Sequence, residues 1–269
     1  MTTLDFAQIL HDRIDARRNG VLDVRSRLQH FALINYALPK ERLARYIPED
    51  RFEIPEFEID GKPMALMSAV PFYDSDFHFI HLFPFLRFAF GQTNYRAYVI
   101  DRATGEHAVW FFGTTLGSPL VNIPVWLWKI PWRNAKYKID CEYSREDHRY
   151  HRYVMGIRSE WASAEIDIED TGEALVLESG FESEEAMALI LTHPVDGFFY
   201  RGDKRLGTYS VWHKAIRMTR GKAKNLYFSL YERLGLLSRA EMQQPHSIFL
   251  CPETEFRVYL PPYALPESA

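Results

Sequence analysis

Cysteine is scarce in this chain. Two occur in 269 residues, Cys141 and Cys251, far apart and outside any C-x-x-C pattern. That excludes a disulfide framework and leads to the expectation of reduced thiols in a cytoplasmic protein. Basic residues show no excess. Lysine and arginine total 32 against 36 acidic residues, for a net charge of -4, so nucleic acid is not an expected partner. No apolar run approaches the roughly 18 residues of a membrane span. The first twenty residues mix charges and lack a basic segment followed by an apolar one, so no signal peptide is expected. Internal repeats, low-complexity tracts and linkers are absent too. No metal, nucleotide or nucleophile signature names a reaction.

Aromatic residues are plentiful, at 15% of the chain. Such a share favours a β-rich core or a ligand cavity, because aromatics suit strands and fill large pockets. Most of the chain alternates as strands do. An amphipathic helix is expected from Thr3 to Arg18, ended by Gly20. A strand follows over Val21 to Leu38, and a short helix over Lys40 to Tyr46. Phe52 to Phe57 and Met64 to Phe72 read as strands, with Asp60-Gly61 as a turn. The next stretch, DSDFHFIHLFPF, reads as a loop.

Leu86 to Ile100 and Glu106 to Thr114 read as paired strands. Ser118-Pro119 supplies the chemistry of a helix start, and Pro124 and Pro131 shorten or kink that helix. Three alternating runs, Tyr137 to Tyr143, Tyr150 to Arg158 and Ala162 to Ile168, read as a meander. Glu182 to Thr192 is a helix. Phe198 to Tyr200 and Gly207 to His213 are strands. Asn225 to Leu236 fits strand or helix. Arg239 to Met242 is one helical turn, and Ser247 to Cys251 and Glu255 to Tyr259 are closing strands. The economical reading is a single, strand-dominated α+β domain over residues 1–269. It comprises an N-terminal helix (1–20), the main body (21–261) and a Pro-rich tail (262–269).

Several motifs together resemble the domain of unknown function 2071 family, also described as YqjF-like and grouped with acetoacetate decarboxylase in one superfamily. The motifs are the N-x-R-x-Y strand (Asn94, Arg96, Tyr98), the W-F-F-G strand (Trp110 to Gly113) and the I-P-W-R-N-A-K-Y segment from Ile130 to Tyr137. Further along come T-H-P (Thr192 to Pro194), G-T-Y-S-V-W-H (Gly207 to His213) and Q-P-H-S (Gln244 to Ser247). The resemblance implies a strongly curved mixed sheet closing into a cone-like β-barrel, with short peripheral helices and an internal cavity. In such a barrel Gln92, Asn94, Arg96 and Tyr98 share one face, since side chains alternate along a strand. Acetoacetate decarboxylase forms a Schiff base on a lysine activated by a neighbouring cation. The resemblance sets that lysine pair after a proline, where this chain has Trp132 and Arg133. Lys129 and Lys136 are close in sequence but out of register.

The expected ligand-binding set is Gln92, Asn94, Arg96, Trp110, Trp132, Tyr200, Tyr209, His213 and His246. Arg96 leads it, because a guanidinium in an apolar cavity grips a carboxylate or phosphate in bidentate fashion. Structural pairing with a buried acid is its bland alternative. His213 is the acid–base candidate, since imidazole titrates near neutrality, with Tyr209 on its face. The aromatics serve equally well as plain core. Asp74, Asp76, His78 and His81 read as a solvated loop rather than a metal site, as does the His148-x-x-His151 pair. No metal or cofactor is expected. Trp126, Trp128 and Trp132, beside Lys129 and Arg133, read as packing across the barrel rather than as a membrane anchor.

The favoured function is a small-molecule-binding barrel, with a possible enzymatic role on a small organic acid or keto compound. A non-catalytic sensor, carrier or interaction module is the alternative, and Schiff-base chemistry through Lys129 or Lys136 a third. A homo-oligomer is an open possibility.

Overall fold

The computed structural model describes residues 6–17, 20–119 and 122–265. The first half runs α1 (Phe6–Asp15), β1 (Val24–Leu38), α2 (Lys40–Ala44), β2 (Phe52–Glu53), β3 (Phe57–Ile59), β4 (Lys62–Phe79), β5 (Phe88–Asp101) and β6 (Glu106–Leu116). After it come α3 (Asn122–Trp128), β7 (Trp132–Asn134), β8 (Lys136–Ser144), β9 (Arg149–Arg158), β10 (Ala164–Ala174), α4 (Glu184–Leu191) and β11 (Asp196–Tyr200). The last part holds β12 (Leu206–His213), β13 (Thr219–Phe228), α5 (Ser229–Arg233), α6 (Arg239–Met242) and β14 (Ser247–Ala264).

Seven strands close into a barrel in the order β1-β4-β5-β6-β11-β12-β14, with β14 returning to pair with β1. All neighbours are antiparallel except β6 and β11, so the expected mixed, curved and closed sheet is what the chain forms. Closure leaves the barrel no open edge. β14 joins the barrel to an extension of the same sheet. Its first half meets β13 at Thr219↔Leu250, and its second half meets β12 at Val211↔Val258. From β13 the sheet continues through β10, β9 and β8 as an outer flap.

That flap explains the two apolar clusters. Outward-facing barrel residues such as Tyr36, Met67, Tyr95 and Trp110 pack with Tyr153, Ile166, Phe228 and Tyr231 from the flap and α5. Inward-facing residues, among them Leu28, Phe31, Val70, Phe72, Tyr98, Phe111 and Phe249, form the second cluster with Ile190 and Leu191 of α4. The outer cluster is closed by hydrogen bonds as well as packing. The Tyr231 hydroxyl donates to the Ser68 carbonyl (2.7 Å), and that of Tyr36 to the Met242 carbonyl (2.9 Å).

Local chemistry accounts for the ends. Asp60 and Gly61 both have positive φ, at 51° and 72°, as the tight hairpin turn between β3 and β4 requires. Ser183 caps α4, accepting from the Ala186 N–H at 3.1 Å. The ambiguous Asn225–Leu236 stretch is both things: β13 ends at Phe228 and α5 starts at Ser229. The two closing runs are one strand, because β14 continues through Pro252 from Ser247 to Ala264.

Three expectations change. The strand read over Phe52 to Phe57 is interrupted around Pro55, leaving β2 and β3 as separate short strands. The DSDFHF stretch is not loop: β4 runs on to Phe79, pairing with β5 as far as Phe77↔Phe88. The helix foreseen at Ser118-Pro119 is described from Asn122, residues 120–121 lying outside the described residues, as do 3–5 and 18 of the expected first helix. No helix among the described residues is long and apolar enough to cross a membrane.

Candidate functional site

Strand parity builds a cavity inside the barrel. On β5, Gln92, Asn94 and Arg96 face inward, while Thr93, Tyr95 and Ala97 face out. On β6 the alternation is interrupted. Arg96 pairs with Phe111 and Tyr95 with Gly113, so Phe112 is an extra, bulged residue. Gly113 sits at φ 151°, and a Cβ there would lie 2.6 Å from the Trp161 ring. The bulge puts Phe111 and Thr114 on the inner side, where the Thr114 hydroxyl donates to Asn94 Oδ1 at 2.9 Å. Gln92 Nε2 also donates to Asn94 Oδ1, at 3.0 Å. The two amides therefore form one fixed polar strip.

The cavity encloses about 90 Å³. On this measure a single water needs roughly 10–15 Å³, so there is room for several waters or a slender organic molecule. Its walls are mostly apolar: Leu28, Phe31, Val70, Phe72, Phe111 and Phe256 among others. Thr192 and Pro194, just after α4, line one end, and Phe77 and Trp132 line the other.

Arg96 sits at the α4 end. Its Nε donates to Ser68 Oγ and its Nη2 to the Leu191 carbonyl, both at 3.1 Å. It forms no ion pair with any carboxylate among the described residues; Asp196 lines the same cavity but takes its hydrogen bond from Ser210. A guanidinium has five N–H donors, so most of this one's donor capacity is uncommitted. Tyr209, stacked on Phe111 with ring centroids 5.5 Å apart, shares this end. Burial raises its hydroxyl pKa, and the nearby guanidinium opposes that.

His213 is close behind the wall rather than in it. Its ring stacks on Phe256 at 4.4 Å and lies 4.2 Å from His193. Nε2 faces the Thr192 carbonyl at 2.6 Å and Nδ1 the Lys214 carbonyl at 2.9 Å. Both nitrogens are turned to backbone carbonyls, and the ring does not line the cavity. Burial lowers its pKa to about 4, and that of His193 to about 3. This geometry is that of a structural histidine pair.

Of the nine expected residues, Gln92, Asn94, Arg96, Trp132 and Tyr209 come together around the cavity. Trp110 lies outside, against Phe52 and Tyr200, because it takes the opposite parity to Phe111. Tyr200 is half exposed on the same outer side. His246 lies on the outer surface, bonded to Ser247 Oγ and the Ser179 carbonyl. Trp128 and Trp132 pack inward as expected, but Trp126 is 81% exposed.

Sequence reading missed Asp74. Assigning its segment to a solvated loop hid the fact that Val70, Phe72 and Asp74 share one parity. The residue is 2% exposed and lines the cavity beside Ser26, whose hydroxyl donates to Asp74 Oδ1. Burial pushes its carboxyl up to about 7, with Ser26 opposing. Asp76 and His78 turn away from it; Asp76 pairs with Arg87 at 2.6 Å. Among the described residues, no three His, Cys, Asp or Glu gather as metal ligands would.

The family's sequence profile, described as an uncharacterized conserved protein, matches residues 25–255, most of the chain. The chain belongs to the domain of unknown function 2071 family. No curated protein matches it. Solved structures place this member of the family among acetoacetate decarboxylase-like folds. The enduracididine biosynthesis enzyme MppR complexed with pyruvate superposes with a TM-score of 0.60 at 10% identity, covering 93% of each chain. Acetoacetate decarboxylase from Legionella pneumophila superposes at 0.52 and 13% identity, covering 96% of this chain and 95% of its own. At such identities the likeness establishes the fold. No lysine among the described residues lines the cavity. Lys129 is half exposed and paired with Asp203 at 3.7 Å, and Lys136 is exposed.

Proposed function

We propose that this protein binds a small carboxylate-bearing molecule inside the barrel, with Arg96 as the anchor. The observation that carries the reading is the partly buried guanidinium without a carboxylate partner in a mostly apolar cavity. A charge there loses hydration, and without a protein counter-ion it favours an anion from solution. A carboxylate matches its fork geometry. Ser68 and the Leu191 carbonyl hold the fork in place, which lowers the cost of ordering it on binding. Tyr209, with a hydroxyl that takes part in no hydrogen bond among the described residues, adds a neutral donor at the same end.

Binding is the core of the reading. Any chemistry would fall to groups in the cavity, and His213 is not one, with both ring nitrogens turned to carbonyls. That MppR and acetoacetate decarboxylase, which share the fold, are enzymes supports the view that such a cavity can serve catalysis; one of the superposed MppR structures holds pyruvate.

Native mass spectrometry of the purified protein, against its denatured mass, tests for a retained acid. Calorimetric titration with short alkanoates and keto acids follows. Binding is expected in the wild type, and Arg96→Ala should weaken it by about 2–5 kcal/mol with the fold intact. If no carboxylate binds, or if Arg96→Ala binds as well as wild type, the reading fails.

A further inference from the structure

The cavity has a second polar end whose chemistry and distance from Arg96 bear on the ligand's shape. Arg96 is level with Ser68 of β4, and Asp74 lies six residues further along that strand. At about 3.3 Å per residue, the two backbone positions are roughly 20 Å apart. The Arg96 side chain does not close the gap. It reaches sideways to Ser68 and onward to Leu191, and its guanidinium carbon lies 5.4 Å from the Tyr98 ring centroid, on the side away from Asp74. Between the two ends the lining is apolar, from Val70, Phe72, Leu28, Phe31 and Phe111, apart from the Gln92–Asn94 strip. A molecule as short as pyruvate touches one end only.

Asp74 is an unusual residue for the far end. Burial of a carboxyl is costly unless it is paired, yet among the described residues no cation forms an ion pair with it. Only Ser26 bonds it, and at Oδ1. Oδ2 takes no hydrogen bond among the described residues. The group is more than nine-tenths buried, yet it lines the same cavity as Arg96. Ser26 itself is 3% exposed, so the pair is built into the wall.

We propose that the ligand is an elongated, bifunctional acid whose carboxylate rests on Arg96, whose apolar chain fills the middle of the barrel, and whose far end donates a hydrogen bond to Asp74 Oδ2. This rests on the Arg96 reading and narrows it from short acids to medium-chain ω-substituted ones. The donor is a hydroxyl or an ammonium. Both satisfy the free acceptor, and an ammonium also supplies the missing counter-charge.

The test is calorimetric titration with ω-hydroxyalkanoates and ω-aminoalkanoates from octanoate to hexadecanoate length, each beside its plain alkanoate. At about pH 9, where Asp74 is ionised, an ω-donor above a threshold length should bind at least about tenfold tighter than the plain chain, as a hydrogen bond to a charged group allows. Shorter chains should show no gain. ω-Methoxy analogues, which cannot donate, should fall back to the plain alkanoate. In Asp74→Asn the Ser26 hydroxyl keeps its acceptor and the free position becomes an N–H donor, so the gain of the ω-donor over its own plain chain should vanish. The ω-methoxy comparison uses the wild type alone and stands whether or not the variant folds. If no chain length shows a gain, or if the methoxy and hydroxy acids bind alike, the inference is overturned. Plain alkanoates that still bind through Arg96 would then leave the carboxylate reading intact, whereas failure of every acid would remove both.

Discussion

Tyr95 and Arg96 are neighbours on β5, yet they sit on opposite sides of the barrel wall. Tyr95 is fully buried in the outer cluster, edge-on to Trp161, Phe228 and Tyr231 with centroid separations of 5.6–6.3 Å. Arg96 faces a cavity with room for a guest. The same strands thus serve two purposes. Their outer face is cemented to the flap by interlocking aromatics, while the inner face keeps space and a few uncommitted polar groups. The packed side holds the shape, and that rigidity allows the inner side to hold Arg96 and Asp74 without filling the void between them.

Substitutions that attack one face should leave the other largely unaffected. The largest effect is expected at Phe228, which is fully buried among Tyr36, Tyr95 and Tyr231. Phe228→Ala should cost about 3–5 kcal/mol of stability, read from the urea midpoint. A cost near zero would mean that the outer cluster is not the structural one.

The pH dependence of stability separates the faces next. Asp74 holds its proton up to about 7 when folded, against an ordinary value of 3.8. The folded state therefore binds more protons than the unfolded one across that interval. This contribution is fully present below 3.8 and is lost as pH rises through about 7. His193 and His213 act in the opposite sense. Their folded values of about 3 and about 4 lie below 6.5, so stability falls as pH drops from 6.5 towards those values. Two histidines outweigh one aspartate, and the wild type should lose stability on acidification below 6.5. Asp74→Asn removes the opposing contribution. It should steepen that loss and raise stability at about pH 8 relative to about pH 5, by on the order of 3 kcal/mol. Parallel urea curves at the two pH values for variant and wild type would contradict a buried carboxyl held only by Ser26.

Gly113→Ala probes the bulge that aims Phe111 and Thr114 inward. With φ at 151° and Trp161 in the way, it should cost about 1–3 kcal/mol. It should also shift the tryptophan fluorescence. The smallest effect is expected outside both faces: Trp126→Ala, at a side chain 81% exposed, should change stability by no more than about 0.5 kcal/mol.

Much of this was legible from residue patterns. Period-2 alternation marked most strands, and it correctly placed Gln92, Asn94 and Arg96 on one face. Parity could not carry a residue across an unseen irregularity. The Phe112–Gly113 bulge moves Thr114 to the cavity side, and no local signal in W-F-F-G says which of the three aromatics turns inward. Asp74 was hidden for the opposite reason. Its charged neighbours suggested solvent, although the alternation from Val70 through Phe72 continued into it. His213 looked reactive by residue type alone, and the two carbonyls that occupy its nitrogens come from segments that sequence spacing does not join to it.

By itself, then, the sequence determined the strand-rich character, the turn at Asp60-Gly61 and the polar strip on β5. Each of these depends on neighbours within a few residues. The tertiary structure alone decided that β14 would close the barrel against β1 and hand its first half to the flap. It decided that Arg96 would form no ion pair among the described residues and that Asp74 would be buried in the same cavity, about 20 Å further along β4. Those are facts about segments far apart in the chain, and only closure of the sheet brings such segments to a common interior.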